Sequence, residues 1–298
     1  MVMFGYIQPT NKLIAYAQTE VPMQELYAEV ATIKPAHLVM RGTTDSDILL
    51  ATMETKPPLG IAGYEQSFLG CASYTSQRPA TIDTAYVDGA KVPVLSGTNF
   101  VLPLRLAANF AVVKGDRLCS FTDGTVAPYV PVGDGFALKI PFTKQVSAKD
   151  TGIDLPAGVV ITGAFIDVTT EISGSHIDVG FINAVESGDE DGLIDGAATT
   201  AAGMVAPINY DASAAANLTC GDYIATDFTT GETNFFGLPK DYVCNGTIKS
   251  LSYTTSDHAV VGNFFVVVRS RGIVDVGRAE KTLAKSTSEQ DIMAMVNI

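Results

Sequence analysis

The chain has 298 residues, with 19 Lys plus Arg against 32 Asp plus Glu and a net charge of −13. That balance excludes a binder that neutralises a nucleic-acid backbone, which needs a basic face. Charged residues make up 17% and hydrophobic residues 47%. So few charges, against about 25% in ordinary soluble domains, predict burial against other subunits as well as in the chain's own core.

Taken in chain order, Met1-Val-Met-Phe-Gly-Tyr-Ile-Gln-Pro9 has neither the basic region nor the apolar core of a secretory signal. No stretch of the chain approaches the roughly 18 apolar residues that span a bilayer, so no membrane partner is expected. Residues 1–27 read as an N-terminal arm, with Pro22 opening a short helix over Met23-Gln-Glu-Leu-Tyr-Ala-Glu29. Residues 28–145 read as a first β-rich domain. His37-Leu-Val-Met40 and Ile48-Leu-Leu-Ala51 flank the turn-rich Arg41–Asp47. Pro57-Pro58 interrupts before Leu59-Gly-Ile-Ala62. Lys91-Val-Pro-Val-Leu95 follows the Asp88-Gly89 turn, and its proline predicts an edge strand or a bulge. Phe100-Val-Leu-Pro-Leu104 has the same character. Short strands at spacings of about 8 to 12 residues indicate a sandwich or barrel rather than alternating βα units.

Lys144 to Leu155 is polar and reads as a linker. A second β-sandwich domain is expected over residues 155–272. There Val159–Thr169 and Ile177–Ile182, separated by Ser173-Gly174-Ser175, predict a hairpin. Further strands are expected at Ile248–Tyr253 and Asn263–Arg269. Residues 273–298 read as a C-terminal tail. In it, Ser286 with Glu289 matches a capping box, and Ile292, Met293 and Val296 would share one face of a short helix. The predicted class is all-β, with two sandwich or barrel domains, an extended N-terminal arm and a C-terminal tail. A faint repeat sets Lys114-Gly-Asp-Arg-Leu118 and its sequel to Gly124 beside Cys220–Gly231. Each copy is a tight turn entering a strand, with Asp accepting local backbone hydrogen bonds.

Catalytic vocabulary is sparse. Asp150-Thr-Gly152 has the aspartyl-protease triplet, but Ser147-Ala-Lys149 precedes it and no second copy exists, so a linker turn is expected. Asp189, Asp191 and Asp195 form the densest carboxylate cluster. Its spacing is not that of an EF-hand, and a solvated loop is the expectation, with calcium the alternative. Asp45 and Asp47 form a weaker version of the same idea. His37, His176 and His258 are too scattered for a ligand set or a general base. Cys71, Cys119, Cys220 and Cys244 have neither zinc nor disulfide spacing and read as small buried hydrophobes. The sequons at Asn217 and Asn245 mean little without a signal peptide. No P-loop, dinucleotide fingerprint or nucleophile elbow occurs. The expectation is a non-enzyme with no catalytic, cofactor-binding or metal site residue and no cofactor.

Five segments, taken in order, resemble the tailed-phage capsid decoration (structural cement) proteins. They are Lys34-Pro-Ala-His-Leu-Val39, Pro58-Leu-Gly-Ile-Ala62, Gly89-Ala-Lys-Val-Pro-Val94, Lys114-Gly-Asp-Arg-Leu118 and Asp123-Gly-Thr-Val-Ala-Pro128. What is similar is a series of short strands, then a Gly-Asp turn, then an Asp-Gly hairpin ahead of a proline, across roughly residues 30 to 130. Phe165–Thr170, Ile177–Ile182 and Asp189–Gly196 are more loosely similar to phage virion proteins. The resemblance implies a structural virion protein, assembled in the host cytoplasm. Such a protein binds the outside of a capsid and stabilises contacts between major capsid subunits. It implies the major capsid protein as partner and a homo-oligomer, a trimer among the symmetric choices, with residues 1–27 and 273–298 as contact candidates. Cement proteins of this type are often a single domain, and here a second follows. Two other readings stay open: a major coat protein or tail or fibre subunit, and a carbohydrate-binding or hydrolytic β-protein. The absence of Trp counts against the last.

Overall fold

The computed structural model describes residues 23–64, 81–133, 135–182, 189–206, 241–244, 249–256 and 259–298. Among these the fold is all-β, with no helix. The chain divides into two compact units. One comprises residues 1–108, 112–128 and 271–298; the other comprises 109–111 and 129–270. The C-terminal segment therefore returns to the first unit, and the change of unit falls within a strand rather than in the polar stretch 144–155.

The first unit opens with a closed five-stranded barrel. Its strands are β1 (Met23–Ala28), β2 (Leu38–Arg41), β3 (Asp47–Leu50), β4 (Gly60–Ala62) and β5 (Lys91–Leu95), joined in the order β1-β3-β2-β4-β5. Alternation selects its interior: Leu26, Ala28, Val39, Ile48, Ala62, Val92 and Val94 point inward together with Ile33, Tyr86 and Ala90. Strand β2 is buried on both faces, with Leu38 and Met40 outside the barrel buried along with Val39 inside it. That explains why its sequence is a continuous apolar run.

The helix expected at 23–29 is β1. Leu26 and Ala28 follow the two-residue period of a strand, and the long pairing with β5 (Met23↔Leu95 through Tyr27↔Lys91) outweighs the local preference of a single turn. Nor is β5 an edge strand, because β1 and β4 pair with it on both sides.

The remainder of the first unit is a mainly antiparallel sheet. β6 (Thr98–Leu106) pairs with β19 (Gln290–Asn297), β19 with β18 (Asp275–Ala279), and β18 with β7 (Arg117–Ser120). A helix over 286–296 is thus corrected to a strand. Ile292, Ala294 and Val296 are buried alternately, Gln290 to Val296 run in register with β6, and Glu289 is engaged elsewhere. The expected Asp-Gly hairpin is present. Asp123 (φ 53°) and Gly124 (φ 72°) form the two-residue turn after β7, with Thr125 N–H donating to the Thr122 carbonyl at 3.0 Å. Asp116 accepts the Val113 N–H at 2.9 Å, the local bond expected of the Gly-Asp turn. The second copy of the repeat, at 220–231, lies outside the described residues.

β8 (Val126–Val132) begins in the first unit and ends in the second. The second unit is two sheets. In one, β9 (Gly135–Thr143), β17 (Val261–Arg269) and β11 (Val160–Thr170) are central, flanked by β8 and by β14 (Gly203–Val205), with the short β15 (Tyr242–Val243) also on β11. The other is β10 (Lys149–Leu155), β16 (Lys249–Thr255), β12 (His176–Ile182) and β13 (Ile194–Ala198), in that order. Tyr253 of β16 packs against Phe142 of β9 and Phe264 of β17, with ring centroids 6.3 and 5.9 Å away. The sheets face each other as a sandwich.

Two expectations change here. β11 and β12 are not a hairpin but an arch between the sheets. β11 pairs along its length with β17, where Phe165 stacks on Phe265 at 4.6 Å, and β12 pairs with β16. The polar stretch 144–155 is no linker either. Lys149–Leu155 forms β10, with Thr151, Ile153 and Leu155 buried by alternation.

Candidate functional site

Lys34-Pro-Ala-His37 enters β2 through a tight turn. His37 N–H donates to the Lys34 carbonyl at 3.2 Å, and Ala36 sits at φ 71°. Proline followed by a positive φ defines a type II turn, whose third position glycine normally fills. Alanine there carries backbone strain of about 1–2 kcal/mol. Ala36 is nevertheless fully buried, and its N–H donates to the Ala62 carbonyl at 2.7 Å. The turn is held from outside.

The holding groups are charged. Arg105 lies on β6 and is buried. Its Nε donates to the Pro35 carbonyl at 2.9 Å, and its Nη2 donates to the Ile82 carbonyl and, at 3.1 Å, to Asp83 Oδ1. Its Nη1 faces Glu289 Oε2 at 3.5 Å and Asp291 at 4.0 Å. Glu289 Oε2 also lies 3.7 Å from Lys34 Nζ and 3.5 Å from His37 Nε2. Three cationic or proton-bearing nitrogens thus converge on one buried carboxylate oxygen, which none of them meets at hydrogen-bonding geometry.

The surroundings of His37 favour its neutral form. Its Nδ1 accepts the Lys34 N–H at 3.2 Å, which assigns the ring proton to Nε2, the nitrogen facing Glu289. Burial holds its pKa below the usual histidine value, and the charges of Arg105 and Lys34 add to that effect against the pull of Glu289. Glu289 is held below the usual carboxylate value chiefly by its interaction with His37, and then by Lys34 and Arg105. Asp291 moves the other way, raised by burial and by the nearby carboxylates Asp83 and Glu289. With neutral His37 the cluster carries two cations against three carboxylates.

Sequence reasoning weighed His37 only as a scattered histidine, met Lys34 inside a longer pattern and Glu289 as a capping-box residue, and passed over Asp83, Arg105 and Asp291. One signal was present: Arg105 is a lone charge in the apolar run Phe100-Val-Leu-Pro-Leu-Arg-Leu106. A charge at the buried period of a strand has to be paired.

Of the residues weighed for chemistry, His37 belongs to this cluster in the first unit, and the Asp150 triplet, the 189–195 acids and His176 belong to the second unit. Asp150 is exposed on β10, where its Oδ1 accepts the Gly152 N–H at 2.7 Å. Asp178 on β12 accepts the Gly196 N–H at 2.7 Å, and burial raises its pKa. No group of three or more His, Cys, Asp or Glu side chains fit to hold a metal occurs among the described residues, Asp189, Asp191 and Asp195 included. His176 is exposed, and Ser256 bonds its backbone. Cys119 and Cys244 are free and buried. His258, Cys71, Cys220, both sequons and residues 1–22 of the arm lie outside the described residues.

Compared with known proteins, the chain matches no family model and no curated protein sequence. What the fold defines is therefore a class: an all-β protein with a closed five-stranded barrel near its N-terminal end and a β-sandwich in its second unit.

Proposed function

We propose that the chain is a structural virion protein that binds the outside of a capsid and stabilises contacts between major capsid subunits. One observation carries this reading. All five segments that resemble the cement proteins lie in the first unit, and each is a strand or turn of it. Residues 34–39, 58–62 and 89–94 supply β2, β4 and β5 of the barrel with their entry turns. Residues 114–118 and 123–128 supply the Gly-Asp turn into β7 and the hairpin into β8.

The action is mechanical. Apolar surface buried at subunit seams, at about 25 cal/mol per Å² less the cost of ordering side chains, resists expansion of the shell. Within the segments expected to make contact, Met23 and Tyr27 on the outer face of β1 and Met295 on β19 are large apolar side chains left exposed. Acting on the major capsid protein as a homo-oligomer is part of the same proposal.

Density-gradient fractionation of the native source, following the chain by mass spectrometry, tests it. Co-sedimentation with DNA-filled particles at a fixed copy number supports the reading, and loss of occupancy in Tyr27→Glu places the contact. A chain that stays at the top of the gradient as a small species overturns it.

A further inference from the structure

We propose that the Lys34–His37 turn and Glu289 form an acid-released clasp, in which protonation of His37 frees the turn from the segment 284–289 that leads into β19. The proposal does not depend on a virion role.

It rests on which nitrogen is left to take the proton. Nε2 already bears one and faces Glu289 at 3.5 Å. The remaining site is Nδ1, whose lone pair accepts the Lys34 N–H at 3.2 Å. Imidazolium formation would set two donors against each other in a buried space and break the side-chain tie from His37 back to the Lys34 N–H. The turn is already strained at Ala36, so release of its side-chain tie lets the backbone leave the left-handed region.

The charges around His37 are Lys34 in its own turn, Arg105 on β6, and Glu289 and Asp291 at the start of β19, with Asp83 of the 81–84 turn pairing with Arg105. Their signs set the pH window. His37 has a lowered pKa in the closed form, so the open form binds the extra proton, and the closed form loses stability as pH falls below the ordinary value of 6.5. Glu289, also lowered, adds a second loss below its ordinary 4.5. Asp291 is raised, and its protonation opposes opening at the acid end. The first step therefore belongs to His37.

Hydrogen exchange of the full chain read by mass spectrometry, corrected for intrinsic rates, tests the clasp on peptides spanning 33–38 and 284–289. Protection of both is expected to fall together below pH 6.5, by up to about tenfold per pH unit for one proton. His37→Gln, whose amide oxygen can accept the Lys34 N–H at any pH, is expected to remove that slope and leave only the step near or below 4.5. Flat protection in the native chain between pH 7.5 and 5, or a slope that survives in His37→Gln, overturns the proposal. Where His37→Gln fails to fold, nitrogen NMR of the native imidazole decides. Nε2–H with bare Nδ1 throughout the closed form supports the clasp. A ring that titrates near 6.5 without opening sinks it.

Discussion

The hydroxyl of Tyr86 donates to the carbonyl of Gly63 at 2.7 Å, and this bond closes a gap left by a proline in the barrel. Register places Gly63 opposite Pro93, one step beyond Ala62↔Val94. Gly63 N–H donates to the Pro93 carbonyl at 2.6 Å, so the reciprocal bond would come from the N–H that proline lacks. Tyr86, buried in the barrel interior, supplies the missing donor. A proline can therefore sit in a strand paired on both sides.

Tyr86→Phe tests this directly. The Gly63 carbonyl loses its donor, at a cost of about 1–3 kcal/mol, read as a lower denaturant midpoint. Pro93→Ala restores a backbone donor at the same place, so the cost of Tyr86→Phe should shrink in the Pro93→Ala background. Equal costs in both backgrounds would show that the two donors do not share one acceptor.

Arg105 joins the 34–37 turn, the 81–84 turn and the start of β19, and its loss leaves the Pro35 and Ile82 carbonyls without its donors and Glu289 with Lys34 as its remaining cation. Arg105→Ala is expected to destabilise the chain by about 3–5 kcal/mol. Arg105→Lys should fall between, because an ammonium cannot reach the Pro35 and Ile82 carbonyls and the carboxylates at once. Chemical denaturation of the three proteins measures the order.

Ala36 offers the opposite sign. Glycine relieves about 1–2 kcal/mol of left-handed strain and loses about 0.8 kcal/mol of buried methyl, so Ala36→Gly should raise the thermal midpoint slightly. A lower midpoint would mean that the methyl contact outweighs the strain.

Two cysteines should be inert in the native chain. Burial pushes the Cys244 thiol up to about 11 and the Cys119 thiol higher still, with Asp275 adding to the latter. Little thiolate exists at pH 8, and reaction with an aromatic disulfide should wait for unfolding. Labelling followed by peptide mapping reads each site separately.

The all-β class was legible because it depends on local period and turn chemistry. Asp123-Gly124 announces its hairpin, and Thr151, Ile153 and Leu155 alternate even inside a stretch polar enough to pass for a linker. Local signals were less informative about which strand meets which. The run 177–182 follows 160–170 across a good turn, yet each strand pairs in a different sheet, because long registers such as Phe165↔Phe265 are contacts distant in sequence. The same holds for 290–297, where a four-residue cap pattern gives way to pairing with β6.

The sequence by itself determined the acidic, strand-rich character of the chain and the positions of its turns, since these follow from side-chain charge and backbone preference a few residues at a time. The tertiary structure alone decided the closure of the barrel, the return of the C-terminal strands to the first unit, and the meeting of Lys34, His37, Asp83, Arg105, Glu289 and Asp291. Those side chains are up to 257 positions apart, from Lys34 to Asp291. A buried charge states in sequence only that it needs a partner; the fold chooses which one.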